Sequence, residues 1–281
     1  MPDRPVTVVA DSTLDIPAAI AAGLGIVVVP LDVHIGDETF LDGVEISSDE
    51  FLARLAASPA LPRTSQPPPA RFEDAFRAVI AAGNDVLCVT VSAELSGTGN
   101  SARLAAAAFD PGRVRVFDSR SVSIGGGFVA IAAARAARAG ASLAEVAGLA
   151  ESMPVRTSLY AALDTLEYLQ KGGRIGRASA LLGSLLSIKP IVQVRDGQVQ
   201  PVERVRTWRR ALDRLGMLAE EQAPFEAVAV MHTANRPDAE RLAERLAPLA
   251  PGGEIVFGEL GPVVATYAGP GLVGFVTVTK G

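Results

Sequence analysis

Four short, nearly continuous apolar runs punctuate the first 117 residues: VTVVA (6–10), IVVVPLDV (26–33), VLCVTV (86–91) and VRVF (114–117). Between them lie stretches with helical spacing, at 17–22, 48–57, 70–82 and 99–108. A strand that is apolar on both faces needs cover on both faces, and helices supply it when strands and helices alternate. The pattern predicts βαβ units, a mostly parallel sheet and hence an α/β fold. Capping-box spacing marks helix starts at Ser47–Glu50 and Ser142–Glu145. Residues 123–139 and 142–152 read as a helical pair closing this half.

At Met153–Pro154 the pattern changes. A strand is expected at 157–162, then a helical turn through Tyr168, the glycine-rich KGGRIGR at 171–177, a helix near 179–186 and a strand at 188–194. Asp196–Gly197 suits a type I′ hairpin. A helix at 207–221, a strand at 227–231, a helix at 237–247 and strands near 254–258 and 273–279 follow. The chain thus reads as two α/β domains, 1–153 and 154–281, the first built on the mostly parallel sheet.

Composition narrows the function classes. With 281 residues, 49% hydrophobic, 20% charged and a formal net charge of −5, the chain has a globular make-up. Mild acidity argues against a nucleic-acid partner, since phosphate binding needs a concentrated basic surface. Arginines cluster at 204–214, but Glu203 and Asp213 interrupt them, and the cluster reads as a solvated helix face. Cys88, the only cysteine, lies in a buried strand run, so no intrachain disulfide forms, which fits a reducing compartment. The strand-like VTVVA stands where a secretory signal would place a basic region and an apolar one, so the expected location is cytoplasmic. The Ala-rich stretch 128–139 contains Arg135 and Arg138 and is too short for stable membrane insertion.

The informative chemistry is where hydroxyls follow strands. DSTLDIP (11–17), SAELSGTGNSA (92–102) and DSRSVSIGGG (118–127) each follow an apolar run. In a parallel α/β sheet, ligands bind beyond the carboxyl ends of the strands, so the three segments are expected on one rim. Small residues, hydroxyls and free N–H groups at helix starts suit an anion. RTSQPPP (63–69) places further hydroxyls ahead of a helix. There is no GxxxxGK(S/T) phosphate loop, no dinucleotide glycine fingerprint and no GxSxG elbow. One cysteine with His34 and His232 makes no ordinary zinc site. His232 with a rim serine or aspartate keeps an autonomous hydrolase or phosphotransferase open as the alternative.

DSTLDIP, the Pro30–Leu31 turn, RTSQPPP, LSGTGNSA (95–102), DSRSVSIGGG, LEYLQKGGRIGR (166–177), SIKPI (187–191), RVRTWRRAL (204–212) and GPVVATYAGPGLVGF (261–275) together resemble the DegV signature series. Their order and spacing agree from about residue 8 to the end. The resemblance implies two α/β domains with a long-chain fatty acid in an apolar tunnel at or near their junction. It implies a lipid-binding carrier with no cofactor and no chemistry of its own. Some family members are acyl-carrying subunits of a two-part fatty-acid kinase, whose partner brings ATP and yields an acyl-phosphate for phospholipid synthesis. The carboxylate contacts would then fall on Thr64 and Ser96, and the arginine of kinase coupling on Arg206; the N–H groups around Gly97 are, on physical grounds, further donors without fixed charge. The chain departs from the pattern at Tyr267, where the family has a histidine ahead of the GPG at 269–271. There the phenol is expected to replace the histidine as donor.

Overall fold

The computed structural model describes residues 4–58, 60–181 and 188–281. The first part contains β1 (Val6–Asp11), α1 (Ala18–Leu24), β2 (Val27–Val29), β3 (Asp32–Ile35), β4 (Glu38–Leu41), α2 (Ser48–Ala57), β5 (Arg63–Ser65), α3 (Pro69–Ala81), β6 (Asp85–Thr90), α4 (Thr98–Ala106), β7 (Val114–Asp118), α5 (Ile124–Arg138) and α6 (Leu143–Ser152). The second contains β8 (Thr157–Ala162), α7 (Glu167–Lys171), β9 (Lys189–Arg195), β10 (Gln198–Val205), α8 (Trp208–Glu220), β11 (Phe225–His232), α9 (Arg236–Leu246), β12 (Val256–Glu259), α10 (Pro262–Ala268) and β13 (Val273–Thr279).

The fold is mixed α/β. A parallel four-stranded sheet has the order β2-β1-β6-β7, as the apolar runs require. All six residues of β6 are buried, Cys88 among them, and burial pushes that thiol well above its ordinary pKa. A second sheet of six strands has the order β10-β9-β8-β13-β11-β12, antiparallel except for β11 with β12. The β9–β10 hairpin turns at Asp196 (φ 54°) and Gly197 (φ 80°), the two positive φ values that a type I′ turn needs.

The run at 26–33 is not one strand. Pro30 lacks the N–H that a continued ladder uses, and the chain turns there. β2 stays in the parallel sheet, whereas β3 enters a separate antiparallel sheet, β4-β3-β5. Ser142–Glu145 forms a full capping box. Ser47 caps Glu50 N, but the Glu50 carboxylate turns to Arg54 (3.1 and 2.9 Å) instead of back to the cap. The helix expected near 179–186 lies from residue 182 onward outside the described residues, and Gly176–Leu181 is a 3-10 turn.

α5 organises the interior. From Ile124 to Ala134 it carries no polar side chain, and nearly every residue is buried, as befits a helix covered all round. It packs against β1 on one side and β8 and β13 on the other. One continuous core therefore joins Val8, Leu87 and Ile131 to Leu163, Val192 and Val276. The opposite face of the six-stranded sheet buries Val228, Val230 and Phe275 beneath α8 and α9. Glycine at 127 lets the first turn of α5 press onto the 3-10 turn at 12–14: a Cβ there would stand 2.7 Å from Leu14 O.

Candidate functional site

The three strand-end segments are laced together. Asp11 Oδ2 accepts from Val91 N (2.7 Å), Ser92 N donates to Ser121 O (2.9 Å), and Ser123 N donates to Thr13 O (2.8 Å). They form one rim because β1, β6 and β7 are neighbours in a parallel sheet, which sends all three chains out on the same side.

Below this rim lies a cavity of about 390 Å³. Its walls are mostly aliphatic, from Leu159 and Ala161 on β8, Val192 and Val194 on β9, Met231 on β11, Val276 on β13 and Val263 and Val264 on α10. Thr64, Ser96, Gly97 and Tyr267 all line it, so segments separated by up to 203 residues meet at one place. β5 pairs with β3 in the register Val33↔Thr64, and that pairing brings the Thr64 hydroxyl to 2.6 Å from the phenol of Tyr267 on α10. Ser96 sits in the turn before α4, its hydroxyl 2.8 Å from Thr98 Oγ1. Gln66 Nε2 donates to Ser101 Oγ (2.9 Å), and its Oε1 rests so close over Gly97 that a Cβ there would stand 2.0 Å away.

Two groups at this end were not singled out in the sequence. Gln66 is one. The other is Arg174, which lines the cavity with its guanidinium 5.0 Å from the centre of the Tyr267 ring and its Nε donating to Leu95 O (3.3 Å). The ring is also held from Gly172, where a Cβ would stand 2.4 Å from Tyr267 Cδ1. KGGR is thus a cradle for the tyrosine: a glycine for close approach, then a cation over the ring. The only sequence signal for it was the glycine pair itself. Hydroxyls, a carboxamide and one cation at the end of an aliphatic cavity can bind a carboxylate and bury what is attached to it.

Arg206 does not line the cavity; it is exposed between β10 and the Thr207 cap of α8. His232 is not a lining residue either. It lies against Phe257, with Nδ1 3.6 Å from Glu259, and burial pushes its pKa below the ordinary value. No rim serine or aspartate hydrogen-bonds to it among the described residues, so the geometry lends nothing to a hydrolase built on His232. In the arginine cluster, Arg214 bonds Glu203 (2.9 Å) and Glu221 (2.8 Å), as a solvated face does. Among the described residues no group of three His, Cys, Asp or Glu side chains is placed to hold a metal, and no helix is long and apolar enough to cross a membrane.

Residues 5–280 match the DegV family model, described as "Uncharacterised protein, DegV family". A DegV domain-containing protein of Streptomyces coelicolor is 39% identical over 99% of each chain. Among solved structures, the chain is similar to a DegV family protein of Thermus thermophilus described by its fatty-acid binding (TM-score 0.92, 33% identity, 98% of this chain and 100% of that one). It is also similar to DegV of Bacillus subtilis, described as a fatty acid binding protein (TM-score 0.88, 30% identity, 99% and 100% covered).

Proposed function

The chain belongs to the DegV family, and on that premise we propose that it binds a long-chain fatty acid, with the acyl chain in the cavity and the carboxylate at Thr64, Ser96, Gly97 and Tyr267. The observation that carries the reading is the one-sided polarity of that cavity. Hydroxyl, amide and guanidinium groups converge around the Thr64–Tyr267 hydrogen bond, while the walls behind are aliphatic. Burying an acyl chain at ~0.8 kcal/mol per methylene supplies on the order of 10 kcal/mol before association costs. Neutral donors satisfy the carboxylate without leaving a fixed charge buried when the site is empty.

In the finer reading, the protein is the acyl-carrying subunit of a two-part kinase in the cytoplasm. The segments 1–153 and 154–281 close on the ligand as two lobes, and a separate subunit brings ATP. A carboxylate oxygen attacks the γ-phosphorus, ADP leaves, and the acyl-phosphate feeds phospholipid synthesis. Arg206, exposed and away from the cavity, suits contact with that partner.

The test is to denature the purified protein and identify what it releases by mass spectrometry. A stoichiometric long-chain fatty acid is expected. A sugar or nucleotide, or delipidated protein that takes up no fatty acid on titration, overturns the reading.

A further inference from the structure

A second hollow, of about 650 Å³, opens on the same face of the six-stranded sheet as the cavity described above. Side chains alternate between the two faces of a strand, and register partners share a face. Ala227, Ala229 and Met231 of β11 therefore point the same way as Val276 and Val278 of β13 and Val256 of β12. Met231 and Val276 line the first cavity, whereas Ala227, Val278 and Val256 line the second. Ala229 lies between them, paired with Val276 on one side and Val256 on the other. Two strand spacings, about 10 Å, thus separate the two floors, and the residue that bridges them is an alanine.

The helix side is ordered in the same way. Ser123, just before α5, lines the first cavity, and Phe128, Ile131, Ala132 and Arg135 line the second. Those four share one face of α5, and Ile124 stands one turn ahead of Phe128 on that face. Ile124 and Ala229 line neither cavity. β13 starts just after α10, which carries Tyr267, and its lining residues run from Gly274 and Val276 in the first cavity to Val278 in the second.

Resting on the fatty-acid reading above, we infer that the second hollow continues the acyl tunnel and receives the ω-end of chains longer than the first cavity holds. Such a chain passes between Ile124 and Ala229, and the walls beyond set the upper limit of chain length. The exposed Arg135, Glu226 and Glu254 also line the second hollow. Two carboxylates against one guanidinium repel an anionic head group, whereas a hydrocarbon end brings no charge to them.

The experiment titrates delipidated wild type, Ala132→Leu and Ala227→Ile with myristic, stearic and behenic acids. Both alanines are half-buried, leucine suits a helix and isoleucine a strand, so each variant fills the second hollow from a different wall and is expected to fold. Wild type should bind behenic acid at least as tightly as stearic acid. Each variant should leave myristic acid within about twofold and weaken behenic acid by at least about tenfold, the worth of roughly two methylenes denied burial. Wild type that binds behenic acid about tenfold more weakly than stearic acid, or variants that change all three acids equally or none, overturn the continuation and leave fatty-acid binding standing. Binding of none of the three acids to wild type overturns the fatty-acid reading itself.

Discussion

The Thr64 hydroxyl and the Tyr267 phenol lie 2.6 Å apart, joining the edge strand of a three-stranded sheet to a helix 203 residues later. Each group orients the other, and on the proposed reading the hydroxyl that accepts in this bond keeps its own proton for the carboxylate. Tyr267→Phe should weaken fatty-acid binding by about 0.5–3 kcal/mol with little loss of fold, and Thr64→Val by a similar amount. Because the two share a bond, the double variant should lose less than the sum. Titration calorimetry on the four proteins checks this. Strict additivity would mean that the two hydroxyls serve the ligand independently.

Gly172 makes a separate prediction at the same ring. A Cβ at 172 would collide with Tyr267 Cδ1 and Cε1, at 2.4 and 2.7 Å, so Gly172→Ala must displace the tyrosine or α7. Moving the ring also draws it from beneath the Arg174 guanidinium. Fatty-acid affinity should fall about tenfold, while the melting temperature drops by only a few degrees, as for a local overpacking of about 1 kcal/mol. In the background of Tyr267→Ala the same glycine change should cost almost no affinity. A full loss in that background would place the effect of Gly172 elsewhere.

How much of this could be read from residues alone follows from what each signal depends on. The parallel sheet was legible because β1 and β6 are apolar on both faces and β7 keeps Val114, Val116 and Phe117 around a single arginine, a pattern that survives without any knowledge of neighbours. The shared rim followed from it, since parallel neighbours end on one side. β5 was not legible: Arg63–Ser65 holds no apolar residue and is a strand only because β3 offers it an edge. α10 was missed for the opposite reason, its Val263, Val264 and Thr266 being residues that favour strands. Thr64, Ser96 and Tyr267 came from the resemblance to a family, whereas Gly97 came from the small residues and free N–H groups at the start of α4. Arg174 depends on contacts made across the fold, and its one local trace is the glycine pair before it.

Three buried carboxyls, two of them bonded to the start of α10, predict how stability varies with pH. Burial raises Asp15 from 3.8 to about 8 and Asp11 from 3.8 to about 6, and it raises Asp42 as well. Their mutual repulsion adds to the shifts on Asp15 and Asp11. In the unfolded chain these groups ionise near pH 4, whereas the folded chain keeps its protons longer. The folded state therefore binds more protons across the window, and stability falls as pH rises from about 4 through about 6 to about 8. Asp15→Asn keeps an oxygen for Gly261 N and cannot ionise. It should flatten the upper part of that decline and raise stability at pH 8 by a few kcal/mol, on the order expected for shifts of this size. Thermal melts of the ligand-free protein from pH 4 to 9 give the answer. A variant with the wild-type slope between pH 6 and 8 would remove Asp15 as its source.

On the proposed reading, Arg206 serves coupling to the kinase and not fatty-acid binding. It is exposed, follows β10 directly and precedes the α8 cap Thr207, while the cavity is lined by other residues. A guanidinium so placed stands outside the cavity, where the proposed ATP-bearing partner would meet it. Stabilising charge that develops during phosphoryl transfer lowers the barrier without tightening the ground state, so removal of one such donor costs rate, commonly about a hundredfold or more. Arg206→Ala should therefore leave fatty-acid affinity within about twofold of wild type and lower acyl-phosphate formation with a bacterial fatty-acid kinase by at least about tenfold. Arg206→Lys keeps the charge but loses the planar fork, and should recover only part of the rate. Direct titration and hydroxamate trapping of the acyl-phosphate measure the two quantities on the same preparations. If affinity and rate fall together, Arg206 serves the ligand; if neither changes, the partner docks on another face.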